Sequence, residues 1–325
     1  MPPEAPESHV AALPHHEDLW FEDGNIILGA VNISFRLHRG ILSRHSVVFR
    51  DMLMLPQGPE SPKAFGCPLV QLHDKGEHLV MLFTVLYDGV KNTLFHPEHP
   101  TEFKTLRVLL SLAHKYEIQH VQDEALRRLR VRFPPTLAQW DDGARRESAI
   151  RMQDHDVIAV VNLARSFDLT DVLPVALFEC CQLPKELLIA KLYYGTDDFE
   201  QLSQSDLQLI LSALDPLAKK ARWIKNVLVD DEYAEDVELC STRSDCKAAL
   251  LDVAKISTTS DGFFHSNNPL LRTYELVEEE IKDSDLALCR YCLENYKFWH
   301  DHFRGNVWKD LGAQVGISRW PMFSG

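Results

Sequence analysis

Near the N-terminus the apolar residues first alternate with polar ones and then switch to a helical period. In "ISFRLH" the apolar Ile33, Phe35 and Leu37 alternate with Ser34, Arg36 and His38, the period-two signature of a half-buried strand. The preceding "DLWFEDGNIIL" reads as one strand, paired with it as a hairpin. From Gly40 the period changes. Ile41, Leu42, Val48, Phe49, Met52 and Leu53 fit a helical stripe that ends near "LPQGPESPKAFG", and "CPLVQLHD" is a short third strand. Three helical segments follow. "GEHLVMLFTVLYDGV" places Leu79, Leu82, Phe83 and Leu86 at helical spacing. "TEFKTLRVLLSLAHKYEI" has Thr101 as its N-cap candidate. "HVQDEALRRLRVRF" ends in a basic last turn, which suits the negative end of a helix dipole, and Pro134–Pro135 stops it.

After Trp140 the pattern is almost entirely helical. "QDHDVIAVVNLARSF" and "DVLPVALFECCQL" form a helical pair joined by "DLT". "SQSDLQLILSALDPLAKKARWIKNVL" offers Ser205 with Gln208 as a capping box, and Asp215–Pro216 as a second N-cap with a first-turn proline. The acidic "DDEYAEDVE" reads as a solvated loop. "NPLLRTYELVEEEI" and "DSDLALCRYCLENYKFWHDHFRGNVWKDL" read as two closing helices, the second capped by Ser284. No internal repeat of fixed period is visible.

Composition narrows the class. The 325 residues are 45% hydrophobic and 25% charged, as in ordinary globular proteins, and suffice for two domains. No apolar run approaches the roughly 18–20 residues of a membrane helix. The proline-rich, acidic N-terminus lacks an apolar core segment, so it is expected not to be a secretory signal. Seven cysteines without a tight framework spacing point to an intracellular protein with reduced thiols; cytoplasm and nucleus are not distinguished. The net charge of −14 is uneven: Met1–Trp140 has 14 Lys+Arg against 16 Asp+Glu, the remainder 20 against 32. Neither part is basic, so phosphate binding is not expected. The local basic island "FRLHRGILSRHSVVFRDML" is read as scaffold, with His38 a hydrogen-bonded structural histidine.

Candidate chemistry is sparse. There is no Gly-rich phosphate loop, no HExxH and no nucleophile elbow. His15–His16 sit in a lead-in, residues 1–17, that reads as disordered, and solvated side chains are the expectation there. Cys180–Cys181 lie between apolar residues on a helix and read as packing, one facing the core and the other its edge. The strongest chemical signal lies in the last third. Cys240 and Cys246 form one pair; Cys289 and Cys292 form a second, three apart and so on one helix face, with His300 and His302 further along. Two separated cysteine pairs can supply the four ligands of structural zinc; core packing of the same cysteines is the alternative. A catalytic zinc fits less well, because no general base is evident beside it.

Residues 18–134 resemble a BTB/POZ domain. The residues that carry this are "WFEDGNIIL", "FRLHRGILSRHSVVFRDMLMLPQ", "VMLFTVLYDG" and "LRVLLSLAHKYEIQHVQDEALRRL". The match is close to the type common in fungi, and the downstream helical pair "DLTDVLPVALFECC" is part of it. The resemblance implies an α+β fold in which a small β-sheet is capped by a helical cluster. A mostly α-helical C-terminal region would follow, as a helical extension over 135–235 and a region with the two Cys pairs over 236–325. It also implies a non-enzymatic protein–protein interaction scaffold or adaptor, forming a homodimer or pairing with another BTB protein. Leu19, Trp20 and Phe21 match a segment that contributes to dimer contacts in related domains. Asp23 and Arg39 match positions that form a charged pair near the dimer pocket in some members.

The alternatives are a substrate adaptor of a cullin-3 RING ubiquitin ligase and a transcriptional regulator. A metal-dependent enzyme at the C-terminal Cys/His cluster stands last. Cullin adaptors carry an apolar–x–acidic motif after the third strand. Here "LHDKGEHL" has glycine just before Glu77 and no apolar residue two before it, which argues against a cullin. The helices after Asp154 resemble adaptor extensions, which argues for one. No nucleic acid and no membrane are expected as partners.

Overall fold

Strand β2 (Ile26–Gly29) is buried along its whole length, because it is flanked on both sides. It runs antiparallel to β3 (Ser34–Leu37) with Leu28 opposite Phe35, and parallel to β5 (Cys67–Gln71) with Ile27 opposite Leu69. The computed structural model describes residues 13–55, 62–96, 99–226, 240, 242–249, 251, 268–272, 274–275 and 288–318. Within these, the sheet is completed by β1 (His15–Trp20), parallel to β3, and by β4 (Lys63–Ala64), antiparallel to β5, in the order β1-β3-β2-β5-β4. The chain divides into two compact units, 1–132 with 142–152, and 133–141 with 153–325.

In the first unit the alternation along β2 serves two apolar layers. Ile26 and Leu28 join Phe35, Leu37, Leu42, Phe49, Leu79, Leu82, Phe83 and Leu109 in one core. Ile27 faces the other way, toward Ala64, Cys67 and Leu69, with Leu13 and Trp20 packed against them. The helices on the thicker side are α1 (Arg39–His45), α2 (Val47–Met54), α3 (Gly76–Asp88), α4 (Phe103–Lys115) and α5 (Gln119–Arg132).

Three expectations change here. "DLWFEDGNIIL" is two strands rather than one, separated by a turn at Glu22–Asp23, and β1 pairs with β3 rather than being its hairpin partner. His15, His16 and Glu17 begin β1 instead of ending a disordered lead-in, and His15 stacks on Trp20 at 3.5 Å. The single helical stripe from Gly40 is α1 plus α2. Ser46 breaks it with extended dihedrals; its hydroxyl accepts from the Phe49 N–H at 2.9 Å and donates to the Tyr116 carbonyl at 2.5 Å.

Gly76 opens α3 where the helix meets the β2–β3 turn. A Cβ there would lie 2.4 Å from Ile33 Cγ2, so the glycine before Glu77 is a packing requirement. Thr101 is not the cap of α4. It pairs with Ile150 in a two-residue parallel bridge, β6 (Thr101–Glu102) with β7 (Ile150–Arg151), and Glu102 is the N-cap. Arg128, in the basic stretch of α5, is buried rather than solvated. Its guanidinium donates to the carbonyls of Leu94, His96, His99 and Ala149 at 2.7–3.0 Å and pairs with Glu124. These bonds tie the ends of otherwise irregular segments to α5 and to the short α7 (Gly143–Ala149).

The second unit contains α6 (Leu137–Asp141), α8 (Val157–Ser166), α9 (Leu173–Cys180), α10 (Lys185–Ile189), a hairpin of β8 (Leu192–Gly195) and β9 (Asp198–Glu200), α11 (Gln204–Asn226), α12 (Arg290–Lys309) and α13 (Leu311–Gln314). The hairpin stands in a stretch to which the nearly all-helical pattern assigned no element. Its Tyr194 hydroxyl donates to the buried Asp156 at 2.6 Å. The cap of α11 is Ser203, which accepts from the Asp206 N–H, not Ser205 with Gln208. Pro216 lies inside this one helix, so Asp215 starts no second one. Residues 230–238 and Ser284 lie outside the described residues. Polar pairs run through the interior: Arg165 holds the buried Asp206 at 2.6 Å, and the fully buried Arg304 reaches Asp141 and the Leu270 carbonyl. Among the described residues no helix is long and apolar enough to cross a membrane.

Candidate functional site

Two places carry the residues singled out in the sequence. The first is the β1–β2 end of the sheet. Leu19 is turned into the main core. Trp20 points to the thin face of the sheet, half-buried, flat on His15 and edge-on to Phe65 at 5.4 Å. Phe65 is 56% exposed and holds a positive φ of 49° in the β4–β5 turn, a conformation costly for a bulky residue. Phe21 stacks on Tyr87 at 4.8 Å.

Asp23 and Arg39 do not pair within the chain. Asp23 Oδ1 lies 3.1 Å from His38 Nε2, and Arg39 directs its guanidinium to the Leu53 carbonyl while its N–H donates to Asn25 Oδ1. His38 joins the two parts of this corner. Its backbone N–H donates to the Tyr87 oxygen at 2.9 Å, and its Nδ1 lies 3.1 Å from that hydroxyl. The arrangement is satisfied when Tyr87 O–H donates to Nδ1 and Nε2–H donates to Asp23. His38 holds the Asp23 carboxyl below its ordinary range, and burial raises the Tyr87 phenol. The corner is a fixed hydrogen-bonded scaffold with an aromatic rim. Phe65 and Tyr87 were not singled out in the sequence. Phe65 is marked only by its place between Ala64 and Gly66, and Tyr87 sits one turn after Phe83 at the edge of the apolar stripe, partly buried against the core.

The second place is the cysteine cluster. The two pairs are far apart in sequence, Cys246 and Cys289 by 43 positions. The structure nevertheless brings the Sγ atoms of Cys240, Cys246, Cys289 and Cys292 within 4.8 Å of one another. Cys289 is the N-cap of α12, its sulfur accepting from the Cys292 N–H at 3.4 Å. That places both members of this pair at the positive end of a helix dipole. Its own N–H donates to Cys246 Sγ at 3.3 Å, and the Thr242 hydroxyl sits 3.4 Å from the same sulfur. Burial opposes ionisation of Cys246, but these donors and the neighbouring thiols hold it below the ordinary thiol value. Cys240 and Cys292 are raised, by burial first. Four cysteines in this arrangement can bind a metal ion.

His300 and His302 are not part of this group. His300 is fully buried with its ring edge-on to Tyr274 and Tyr296. Burial, with Arg304 and Arg272 nearby, pushes it down to about 3. Cys180 and Cys181 are both buried, so neither sits at an edge; burial raises both thiols, Cys181 to about 12. A protonated buried thiol is inert, which fits packing.

Comparison with known families places the first unit. Residues 21–131 match the family model of the BTB/POZ domain. No curated protein matches the chain.

Proposed function

With a BTB/POZ domain at residues 21–131 as the premise, we propose that the protein is a non-enzymatic interaction scaffold that self-associates through this domain. The domain is a protein-interaction module, and the observation that carries the reading is the family match itself. The geometry supports it. The thin face of the sheet covers Ile27, Ala64, Cys67 and Leu69 with little more than Leu13 and Trp20, and Phe65 projects beside them. Trp20 and Phe21 are the surface members of the interaction segment, with Asp23 and Arg39 at its polar edge. Trp20 and Phe65, half-exposed over a thin apolar layer, are the composition expected of an interface centre. The near-neutral charge of the first part of the chain sets no repulsion between copies and offers no patch for nucleic acid. An intracellular location agrees with the free cysteines.

A cullin adaptor role is the second reading, favoured by the buried helical pair α8–α9 that follows the domain. Affinity purification with a differently tagged second copy tests both. The second copy is expected to co-purify, and a cullin in the eluate would specify the adaptor role. Recovery of neither would contradict self-association. The cysteine cluster belongs to the same non-enzymatic reading, a structural zinc site that holds the fold rather than a reactive centre.

A further inference from the structure

We propose that Cys240, Cys246, Cys289 and Cys292 bind one zinc ion as a closed tetrathiolate, and that this ion fastens the N-terminus of α12 to the segment around residues 240–249. The inference rests on the non-enzymatic reading of this cluster but not on self-association, which can fail without touching it.

Sulfur geometry carries the argument. Zinc–sulfur bonds of about 2.3 Å at tetrahedral angles put neighbouring sulfurs about 3.8 Å apart. Here Cys289 Sγ lies 3.7 Å and Cys292 Sγ 3.4 Å from Cys240 Sγ, with all four inside 4.8 Å. A disulfide would need two of them at about 2.05 Å and would leave the others without a role. Core packing of thiols does not require four sulfurs from two distant segments to converge on one point. Soft thiolates in tetrahedral array select zinc or an iron–sulfur centre. Four protein ligands leave no open position, which is the form of a structural site.

The surroundings fit a dianionic zinc tetrathiolate. Donors already aim at the sulfurs: the Cys289 N–H at Cys246, the Cys292 N–H at Cys289, and the Thr242 hydroxyl at Cys246. Such outer partners orient ligands and offset their charge. The α12 N-terminus adds its dipole. Binding displaces the remaining thiol protons to solvent as the zinc–sulfur bonds form; no sulfur is oxidised. Further along, α12 carries Tyr296, His300, Phe303, Arg304 and Trp308, all buried, so an ion that fixes its first turn sets the start of a core helix.

The test uses the full chain, purified without chelator. Metal analysis should find about one zinc per chain, and cobalt(II) exchanged into the site should give the intense sulfur-to-metal absorption of a tetrathiolate. Cys289→Ser and Cys292→Ser should each lose the zinc, whereas Cys180→Ser should keep it. Should a ligand variant fail to fold, chelation of the unmodified chain decides: zinc release should expose four additional reactive thiols. Zinc below about a tenth of an equivalent after zinc supplementation, or thiol reactivity unchanged by chelator, would overturn the proposal.

Discussion

Phe35 and Arg304 are both fully buried, and they are buried for different reasons. Phe35, on β3, is surrounded by apolar side chains supplied by the sheet and by the helices that follow it, and meets Phe83 edge-on at 5.1 Å. Arg304, on α12, is inside the second unit because Asp141, 163 positions earlier, the Leu270 carbonyl and the nearby Asp301 meet its guanidinium. The first unit is organised mainly by apolar area, which is non-directional and tolerant, with the buried Arg128 and its distant carbonyls as its own directional element. The second adds charges and sulfurs whose partners must arrive from distant segments. Such groups stabilise little when complete and cost much when one member is missing. The first unit is therefore expected to fail by cavities, the second by orphaned polar groups.

The sharpest way to break this contrast is Phe35→Ala. It should cost about 3–5 kcal/mol of unfolding free energy, the range for a core aromatic, read by chemical denaturation. A cost below about 1 kcal/mol would mean that apolar packing does not organise the first unit. In the second unit, Asp141→Ala takes the closest carboxylate from the buried Arg304, leaving it Asp301 and the Leu270 carbonyl, and also removes a partner of Arg272. A loss of about 3 kcal/mol is expected. Tryptophan fluorescence can follow it, since Trp140, Trp223, Trp299 and Trp308 all lie in that unit. Arg304→Met combined with Asp141→Leu should recover much of the loss, because the pair rather than the space is at stake.

A smaller effect is acid sensitivity. His300 is neutral in the fold, its value pushed from 6.5 to about 3 by burial and by Arg304 and Arg272. The unfolded chain takes up a proton below about pH 6.5 that the folded chain does not. His300 therefore leaves stability unaffected above that pH. Below it the second unit loses up to about 1.4 kcal/mol per pH unit, until the folded group titrates near 3. His300→Gln should flatten that slope in a series of unfolding curves. The smallest effect concerns the exposed corner of the first unit. The Asp23 carboxyl titrates below 3.8 because His38 binds its ionised form, and His38→Gln should return it toward the ordinary value in an NMR titration.

The same contrast explains what was legible in the sequence. The period-two pattern of β3 and the helical stripes of α3 and α4 depend on neighbours in the chain, so the sheet-and-helix order of the first unit could be read directly. Ser46 offers a local cap to the Phe49 N–H, but the apolar stripe runs on past it, and the bond that fixes it, to the Tyr116 carbonyl, comes from 70 positions away. Gly76 reads as a departure from a motif until Ile33 is found against it. Trp20, Phe21 and Asp23 were legible as a segment, but not the turn that sends Asp23 to His38 and leaves Arg39 with Leu53. The β8–β9 hairpin escaped because "LYYGTDDFE" is short and carries no apolar alternation. The cysteines were visible as two pairs; their convergence was not, since spacing alone says nothing about a 43-position closure.

The central claim is that the first unit is an interface for a second copy, and molar mass tests it most directly. Light scattering over a concentration series should give twice the 37.2 kDa chain mass. The dimer should persist after chelation, because the four clustered cysteines lie in the second unit. A strictly monomeric mass at high micromolar concentration would contradict the account.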